Sequence, residues 1–311
     1  MSLFLHHIGL AAPLFVLVFV GYGLVRWGHW TKTVSDALSR FVFAVALPAL
    51  LFHLMSDLSK LPPVDARLLL AFFGSCLIVF AVGRVVAARL FRLDGVSQSV
   101  FALGGVFSNN VLLGLPLAKV SLGDAALPSV ALVLVFNALT LWTLVTVSIE
   151  WARQGSLSMD GFLKTTKGVA TNPIVAAIVT GTLFGLTGAQ LPTMVDAPLS
   201  MLSQAAAPMA LIALGMGLAE FDVRMGWRQS VAICVLKLII QPLTVWCLAR
   251  ALGLPPMETK VVVLLGSLAV GANVYLMSRQ FKVMEGPVAA SLVLSTALAS
   301  ITTPLVLTLL G

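Results

Sequence analysis

Apolar residues occur in windows of about twenty along this chain, and short polar stretches separate the windows. An α-helix of that length crosses the hydrocarbon core of a bilayer, which is about 30 Å thick. The pattern therefore predicts ten membrane-spanning helices, which we number as spans 1 to 10. The predicted spans are residues 8–27, 34–55, 66–90, 97–118, 125–149, 168–188, 197–218, 229–250, 259–280 and 287–309.

Span 4 contains two carboxamides, Asn109 and Asn110, followed by Gly114 and Pro116. Pro116 has no N–H to donate four residues back, and Gly114 relaxes the backbone before it, so we expect the helix to open here. Backbone can open at membrane depth only beside protein or water. A half-helix that restarts at Leu115 would direct free N–H groups and a positive dipole end into that space, an arrangement that favours an anion.

The second half of the chain contains a counterpart, Gly271-Ala272-Asn273, in span 9. In secondary transporters, interrupted segments at corresponding positions of two halves are the best sequence indication of the binding site. The two interruptions therefore predict such a site. Three further amides fall inside spans and are interpreted mainly as bridges between helices: Asn137, Gln204 and Gln241.

The chain also repeats itself at an offset of 160 residues. From residue 13 to residue 58, eleven of 46 positions are identical to the residue 160 positions later, and Gly21 with Gly181 is one such pair. The offset then drifts to 163, where Asn110 meets Asn273. Each half holds five spans, and an odd number makes the second half enter the membrane from the opposite side, so we predict an inverted repeat.

These patterns predict an all-α polytopic membrane protein with ten transmembrane helices in two inverted five-helix repeats. The first repeat is predicted over residues 1–150 and the second over residues 168–311. The segment 151–167 carries Arg, Gln, Ser and Asp residues. We predict that it is a cytoplasmic linker between the repeats.

Composition agrees with the membrane class. Hydrophobic residues make up 59% of the chain and charged residues 10%, and the mean hydropathy is +1.04. An average soluble domain has about 25% charged residues. The net charge of +7 is spread singly through short loops, which is typical of positive-inside signals and does not indicate a nucleic-acid partner.

The basic residues predict the orientation of the chain. Loops on one side hold twelve Lys and Arg residues and loops on the other hold five, so we predict that the first side is cytoplasmic and that both termini are extracytoplasmic. The first ten residues contain no Lys or Arg, so span 1 is interpreted as a retained helix and not as a signal peptide. The twelve are Arg26, Lys32, Arg84, Arg89, Arg92, Arg153, Lys164, Lys167, Arg224, Arg228, Arg279 and Lys282, and the five are Lys60, Arg67, Lys119, Arg250 and Lys260.

Lys237 differs from the loop cations because it falls near the middle of span 8, with Gln241 one turn later. A lysine at that depth costs about 2.5 to 3.5 kcal/mol on insertion scales. We assign all twelve acidic residues to loops or span ends, so no carboxylate is expected beside it. We predict that Lys237 and Gln241 belong to the anion site. The alternative is a lysine that is neutral or bonded to carbonyl groups in the core.

Other motifs indicate neither catalysis nor a cofactor. Thr33 with Asp36, and Thr193 with Asp196, have the spacing of a capping box, so we interpret these carboxylates as helix caps. No Walker motif, His-Glu-x-x-His or Gly-x-Ser-x-Gly occurs, so we predict a protein that is not an enzyme and needs no metal or cofactor. Three cysteines lack metal-ligand spacing and are interpreted as core residues: Cys76, Cys234 and Cys247.

The chain resembles the auxin efflux carrier family of secondary transporters over nearly its whole length. The bacterial members of this family include carriers of malonate and other organic acids. Four segments carry the resemblance: Asn109 through Gly114-Leu115-Pro116-Leu117, Thr171-Asn172-Pro173, Ala207-Pro208-Met209-Ala210-Leu211 with Gly215, and Gly271-Ala272-Asn273-Val274-Tyr275. Two positions depart from the family pattern, because Val111 stands where a glycine is frequent and Ala269 where a proline is frequent. Span 9 is therefore expected to be less sharply broken than span 4.

The resemblance implies a scaffold from spans 1, 2, 6 and 7 and a moving core from spans 3 to 5 and 8 to 10, with spans 4 and 9 crossing at the substrate site. It implies that Asn109 and Asn273 contact the substrate and that Asn110 lies beside them. Gly114 and Pro116 belong to the same predicted site. The resemblance also implies a homodimer.

From residues and resemblance together we predict secondary transport of a small organic anion, a carboxylate such as malonate, across the bacterial inner membrane by alternating access. Proton coupling, sodium coupling and uncoupled transport all stay open. One alternative is a channel or passive facilitator that uses the same crossover. Another is a membrane sensor that binds the anion, although no sizeable cytoplasmic domain is present.

Overall fold

A computed structural model describes residues 2–56, 65–154, 173–220 and 226–310 of the protein. These residues form helices and short connections, with no strand among them. Six of the helices are long and apolar enough to cross a bilayer. The described part of the chain is therefore all-helical and has the helices of a polytopic membrane protein, as predicted.

The described residues form twelve helices of ten residues or more, besides one 3-10 turn at Asp124–Ala126. They are α1 (Ser2–Arg26), α2 (Lys32–Met55), α3 (Arg67–Leu90), α4 (Gly95–Val106), α5 (Asn110–Leu122), α6 (Leu127–Gln154), α7 (Pro173–Leu186), α8 (Thr193–Leu218), α9 (Trp227–Ala251), α10 (Pro256–Ser267), α11 (Ala272–Phe281) and α12 (Glu285–Leu310). Several predicted features lie outside the described residues, namely the linker from residue 155 onward, Thr171-Asn172 and the basic residues Lys60, Lys164, Lys167 and Arg224.

Two of the predicted spans are each divided into two helices. Residues 107–109 separate α4 from α5, and residues 268–271 separate α10 from α11. We call these segments the first break and the second break. The expectation that span 9 would be less sharply broken is wrong, because the second break is one residue longer than the first although Ala269 replaces a proline.

Three helices each contain one π turn, and each π turn is followed closely by a proline. A proline in a helix lacks the N–H donor, and its ring would collide with the carbonyl group four residues earlier. A π turn, which bonds five residues back, accommodates both defects at one place. The turns are Val42–Ala46 before Pro48, Asn110–Gly114 before Pro116 and Leu236–Ile240 before Pro242.

Glycines allow two pairs of helices to pack closely. A β-carbon added to Gly21 of α1 would lie 2.1 Å from the carbonyl oxygen of Ile212 in α8, and one added to Gly181 of α7 would lie 2.8 Å from that of Phe52 in α2. Real β-carbons do not approach other atoms so closely, so only glycine fits at these two positions. Residue 181 lies 160 positions after residue 21, and residue 212 lies 160 positions after residue 52. The two contacts are therefore equivalent under the sequence repeat, with the glycine and the carbonyl group exchanged between the two halves.

The capping boxes predicted at Thr33 and Thr193 do not form. Helix α2 begins at Lys32 and α8 begins at Thr193, so each threonine lies inside its helix instead of at the cap position. The two carboxylates contact cationic or titratable partners instead: Asp36 Oδ1 lies 3.2 Å from Lys32 Nζ, and Asp196 Oδ1 lies 3.0 Å from His53 Nε2.

Asp94 caps α4 instead. Its carboxylate accepts hydrogen bonds from the backbone N–H groups of Val96 and Ser97 at 3.0 and 3.1 Å, and from the Ser97 hydroxyl group at 2.7 Å. These bonds, led by those from Ser97, lower the pKa of Asp94 below its ordinary value. The cap fixes the start of the half-helix that leads to the first break.

Candidate functional site

The two breaks pair with each other. Asn109 N donates to the carbonyl oxygen of Ala269 at 2.9 Å, and Gly271 N donates to that of Phe107 at 2.8 Å. Ser108 therefore lies opposite Val270 in an antiparallel bridge. Unwound backbone inside a membrane protein must find partners, and here each break supplies them to the other.

Glycine makes this approach possible. A β-carbon on Gly271 would lie 2.9 Å from Phe107 Cδ1 and 3.0 Å from the Ser108 carbonyl oxygen. A β-carbon on Gly114 would lie 2.7 Å from Leu268 Cδ1. Both glycines therefore stand where one interrupted helix touches the other.

Two helix N-termini begin at the paired breaks. Helix α5 begins at Asn110 and α11 at Ala272, each directly after its break. The first N–H groups of a helix have no acceptor within it, and they form the positive end of the helix dipole. The prediction that the half-helix starts at Leu115 holds for its α-helical part, Leu115–Leu122, but the π turn moves the helical start back to Asn110.

A cavity of about 320 Å³ lies beside the breaks. Residues of both breaks and of α5 and α11 form one wall, and Phe43 of α2, Leu134 of α6 and Ile174 of α7 contribute to the others. No charged side chain is among the lining residues in the part of the chain that the structure describes. The polar lining residues are Ser108, Asn109, Asn110, Asn137 and Asn273.

Three buried polar atoms have no hydrogen-bond partner at the first break and at the first residue of α5: Ser108 Oγ, Asn109 Nδ2 and Asn110 Oδ1. Asn110 Nδ2, in contrast, donates to Asn137 Oδ1 at 3.3 Å. An unpaired buried polar group costs about 1 to 3 kcal/mol, so folded proteins contain few of them. Their concentration beside one cavity indicates a place for a polar ligand or water.

The structure separates the predicted site residues into two groups. Asn109, Asn110 and Asn273 line the cavity. Gly114 and Pro116 do not line it, and they lie further along α5, in its π turn and its first α-helical turn. As substrate contacts, all five stay predictions.

Lys237 and Gln241 do not line the cavity. Lys237 is completely buried, and its Nζ donates to the carbonyl oxygen of Gly266 in the last turn of α10. Gln241 Nε2 donates to Ser75 Oγ of α3 at 3.1 Å. These surroundings agree with the alternative interpretation, a lysine that is neutral or bonded to carbonyl groups in the core, and the contact of Lys237 with substrate stays a prediction.

The sequence interpretation left out some cavity residues. Ser108 directly precedes the two asparagines, and its hydroxyl group could have been included on that ground. Asn137 was interpreted as a helix bridge, and it both bridges to Asn110 and lines the cavity. Phe43 and Ile174 carry no sequence signal, because an apolar residue facing a cavity resembles one facing lipid.

Known proteins resemble this chain along almost its entire length. A family model described as "Membrane transport protein" matches residues 6–307. The chain is 28% identical over 295 residues to a Rhizobium meliloti protein named "Putative malonate transporter", covering 94% of this chain and 92% of that protein. It is 24% identical over 307 residues to the uncharacterized transporter YfdV of Escherichia coli K12, covering 96% of each. It is 23% identical over 305 residues to auxin efflux carrier component 5 of Arabidopsis thaliana, covering 86% of each.

These matches agree with the helical membrane architecture and with the motifs that surround the two breaks. The family match extends over both breaks and over all helices that contribute to the cavity. The chain therefore belongs to the membrane transport protein family that includes the auxin efflux carriers.

Proposed function

We propose that this protein is a secondary transporter of a small organic anion, a carboxylate such as malonate, and that it works by alternating access. The observation that carries the proposal is the cavity beside the paired breaks. Two helix N-termini begin there, and unpaired donors from Asn109 and Ser108 are available to a ligand. Carboxylate oxygens only accept hydrogen bonds, so this set of donors is complementary to them.

The lining favours an anion without any cationic side chain. Hydrogen bonds to charged groups contribute about 1.5 to 3 kcal/mol each, and helix N-termini add a favourable dipole. No carboxylate among the described lining residues would repel the ligand. The volume of about 320 Å³ is at the lower end of the range for ligand pockets, which suits a small molecule.

The relatives support the same class of substrate. The name of the Rhizobium meliloti protein includes malonate, and its match covers more than nine-tenths of both chains. We infer malonate as the first substrate to test and keep other small carboxylates as the next. A proton or a sodium ion is the proposed coupling ion.

Alternating access requires two parts that move against each other. We propose ten spans in two inverted repeats, 1–150 and 168–311, with spans 1, 2, 6 and 7 as the scaffold and the other six as the core. The exchanged glycine contacts of Gly21 and Gly181 support this symmetry. In the proposed arrangement the protein is a homodimer in the bacterial inner membrane, with both termini extracytoplasmic.

Counterflow in proteoliposomes tests the proposal. Purified protein is reconstituted with a high internal concentration of unlabelled malonate, and a trace of labelled malonate is added outside. A carrier accumulates label transiently because it exchanges one molecule for another, a channel lets the internal pool leak away, and a sensor moves none. Asn109→Asp is the matched control, because it keeps the side-chain shape but adds a negative charge that repels the anion. Absence of counterflow with malonate and with a series of other small carboxylates would refute the proposal.

A further inference from the structure

Lys237 does not line the cavity, and the proposed transport cycle so far gives it no role. It belongs to the π turn Leu236–Ile240 of α9 and is completely buried. Its Nζ donates to the carbonyl oxygen of Gly266 on α10. Gly266 has no side chain to hold the helices apart, since a β-carbon there would lie 3.0 Å from Val245 Cγ2 of α9.

Helices α3, α4, α10 and α12 pack against this part of α9. Among the described residues, Cys76 of α3 is the titratable side chain near Lys237, and a protonated thiol carries no charge that could compensate an ammonium group. Helix α4 contains no charged residue, and α9 carries Arg228 and Arg250 near its ends. The charged residues of α3, α10 and α12 also lie toward the ends of their helices: Arg67, Arg84, Arg89, Glu258, Lys260 and Glu285.

No carboxylate of the described residues therefore compensates a positive charge on Lys237. A neutral amine can still donate one hydrogen bond to the Gly266 carbonyl group, so this contact survives loss of a proton. One turn later on the same helix, Gln241 Oε1 is buried and has no partner. The hydrogen bond from Lys237 to Gly266 can be kept in both charge states of the amine.

The hydrogen-bond acceptor of Lys237 lies only a few residues before the cavity in the chain. Gly266 precedes the second break, and five residues later Gly271 lines the cavity and pairs with Phe107. Hydroxyl groups of α12 hold the segment between them: Thr303 Oγ1 donates to the Ser267 carbonyl oxygen at 3.1 Å, and Val270 N donates to Ser295 Oγ at 3.0 Å. Proton binding at Lys237 and anion binding at the cavity therefore act on the two ends of one short backbone segment.

We propose that Lys237 is the proton-binding site of this transporter and that its proton is taken up with the anion. The inference rests on the proposed function, because it assigns the coupling ion of that carrier. As the anion enters, a proton from water forms a new N–H bond on the neutral amine and gives an ammonium ion. When the anion leaves on the other side, that N–H bond breaks and the proton returns to water.

Coulomb's law gives the expected scale of the coupling. Gly266 and Gly271 are at most about 18 Å apart, because five residues of extended chain reach no further, and this length is taken as the order of the separation between the two charges. Two unit charges about 18 Å apart interact by about 1 kcal/mol at an effective dielectric constant of about 20, which is a factor of about five in a binding constant. By reciprocity, protonation of Lys237 strengthens anion binding by the same factor.

The test is a measurement of protons taken up per malonate bound. The full-length protein is titrated with malonate by calorimetry in two buffers of different ionisation enthalpy, at pH values above those at which malonate itself titrates. We expect proton uptake by the wild type, and an affinity that falls about fivefold as pH rises and Lys237 loses its proton before the anion arrives. Proteoliposomes should show the matching effect, with malonate uptake that alkalinises the outer medium.

Two substitutions test whether Lys237 is the group that binds the proton. Lys237→Met has no titrating group, and Lys237→Arg keeps a permanent charge, so either variant should bind malonate without proton uptake and with an affinity independent of pH. Thr296→Val is the matched control, because the buried Thr296 hydroxyl group donates within its own helix, to the Leu292 carbonyl oxygen at 2.7 Å, and carries no titrating group. It should retain the pH dependence. Loss of proton uptake in Thr296→Val as well would show that the loss in the Lys237 variants is a general packing effect, and would overturn the assignment.

The wild-type titration decides the question even where a variant does not fold. Malonate binding without proton uptake, or binding that depends on sodium and not on pH, would overturn the inference and leave the proposed transport intact, since counterflow would still occur. Absence of both binding and counterflow would instead remove the proposed function and this inference with it.

Discussion

The two breaks lie side by side, but their polar groups differ: the first break has unpaired side-chain atoms, and the second has a backbone that is held by hydrogen bonds. The first break presents Ser108 and Asn109 to the cavity and leaves Ser108 Oγ and Asn109 Nδ2 unpaired. The second break consists of Leu268, Ala269, Val270 and Gly271, and its Val270 N donates to the Ser295 hydroxyl group of α12. This difference indicates that the first break supplies ligand contacts and that the second break holds the first in position.

The comparison also explains how a helix breaks without a proline. In the first half, Pro116 and its π turn disturb the helix next to the break. In the second half, Ala269 could continue a helix, but its carbonyl group accepts from Asn109 N instead. Pairing with the first break and the bond from Val270 N to Ser295 Oγ replace the helical bonds that are lost. A break can therefore be fixed by its neighbours as well as by its own sequence.

The largest expected effect concerns the direction of the two half-helices that follow the breaks. An inverted repeat places the end of α5 and the end of α11 on opposite sides of the membrane. In a background without the native cysteines, a single cysteine at Asp124 should react fully with an impermeant thiol reagent from outside the cell. One at Lys282 should react only after the membrane is opened.

Cysteines at Ser2 and Ser156 serve as controls for this experiment, since the basic loop residues predict the first outside and the second in the cytoplasm. Reaction of the Asp124 and Lys282 positions from the same side would contradict the inverted repeat. Reversal of all four accessibilities would keep the repeat and overturn the orientation.

The next largest effect should be on anion affinity at the first break. Asn109→Ala removes an unpaired, buried donor that faces the cavity, so malonate affinity should fall about tenfold or more, which corresponds to about 1.4 kcal/mol. Asn273→Ala should weaken binding less, by about threefold, because Asn273 is only partly buried. Titration calorimetry on the purified protein measures both.

Thermal unfolding of the same two variants is the control, because a structural role of either amide would lower the melting temperature. We expect melting near that of the wild type, since Asn109 Nδ2 has no hydrogen bond to lose. An Asn109→Ala variant that is well folded and binds malonate with unchanged affinity would remove Asn109 from the site.

Sequence reasoning reached the helical membrane class and the family because long apolar windows and motif residues are local signals. The positions of both interruptions were also predictable, from Asn109 and Pro116 in one half and from the repeat that aligns Asn110 with Asn273. The capping boxes failed because the first helical residue depends on packing as well as on Thr-x-x-Asp spacing.

The alternative interpretation of Lys237 allowed a bond to carbonyl groups, but which carbonyl group accepts it could not be predicted. Depth in the membrane is visible in sequence, whereas a backbone carbonyl group such as that of Gly266 carries no residue signature. The cavity wall from Phe43 and Ile174 was equally invisible. In both cases the missing information is tertiary contact between helices that lie far apart in the chain.

The smallest expected effect compares the two glycines of the crossover. A methyl group at Gly271 would meet the Ser108 carbonyl oxygen at 3.0 Å, and that backbone cannot move without straining the paired breaks. A methyl group at Gly114 would meet Leu268 Cδ1 at 2.7 Å, the far end of a side chain that can rotate. Overpacking of a core costs about 1 to 3 kcal/mol, so we expect Gly271→Ala near the upper end of that range and Gly114→Ala near the lower end.

The melting temperature of each variant in detergent measures this order. Gly9→Ala in α1 is the matched control, because nothing lies within 4 Å of the added methyl group. An alanine in a helix interior is favoured over glycine by about 0.5 to 1 kcal/mol, so this variant should melt at or above the wild type. If Gly114→Ala were instead the more destabilising of the two, the leucines behind the first break, and not the backbone pairing, would limit how closely the two interrupted helices approach.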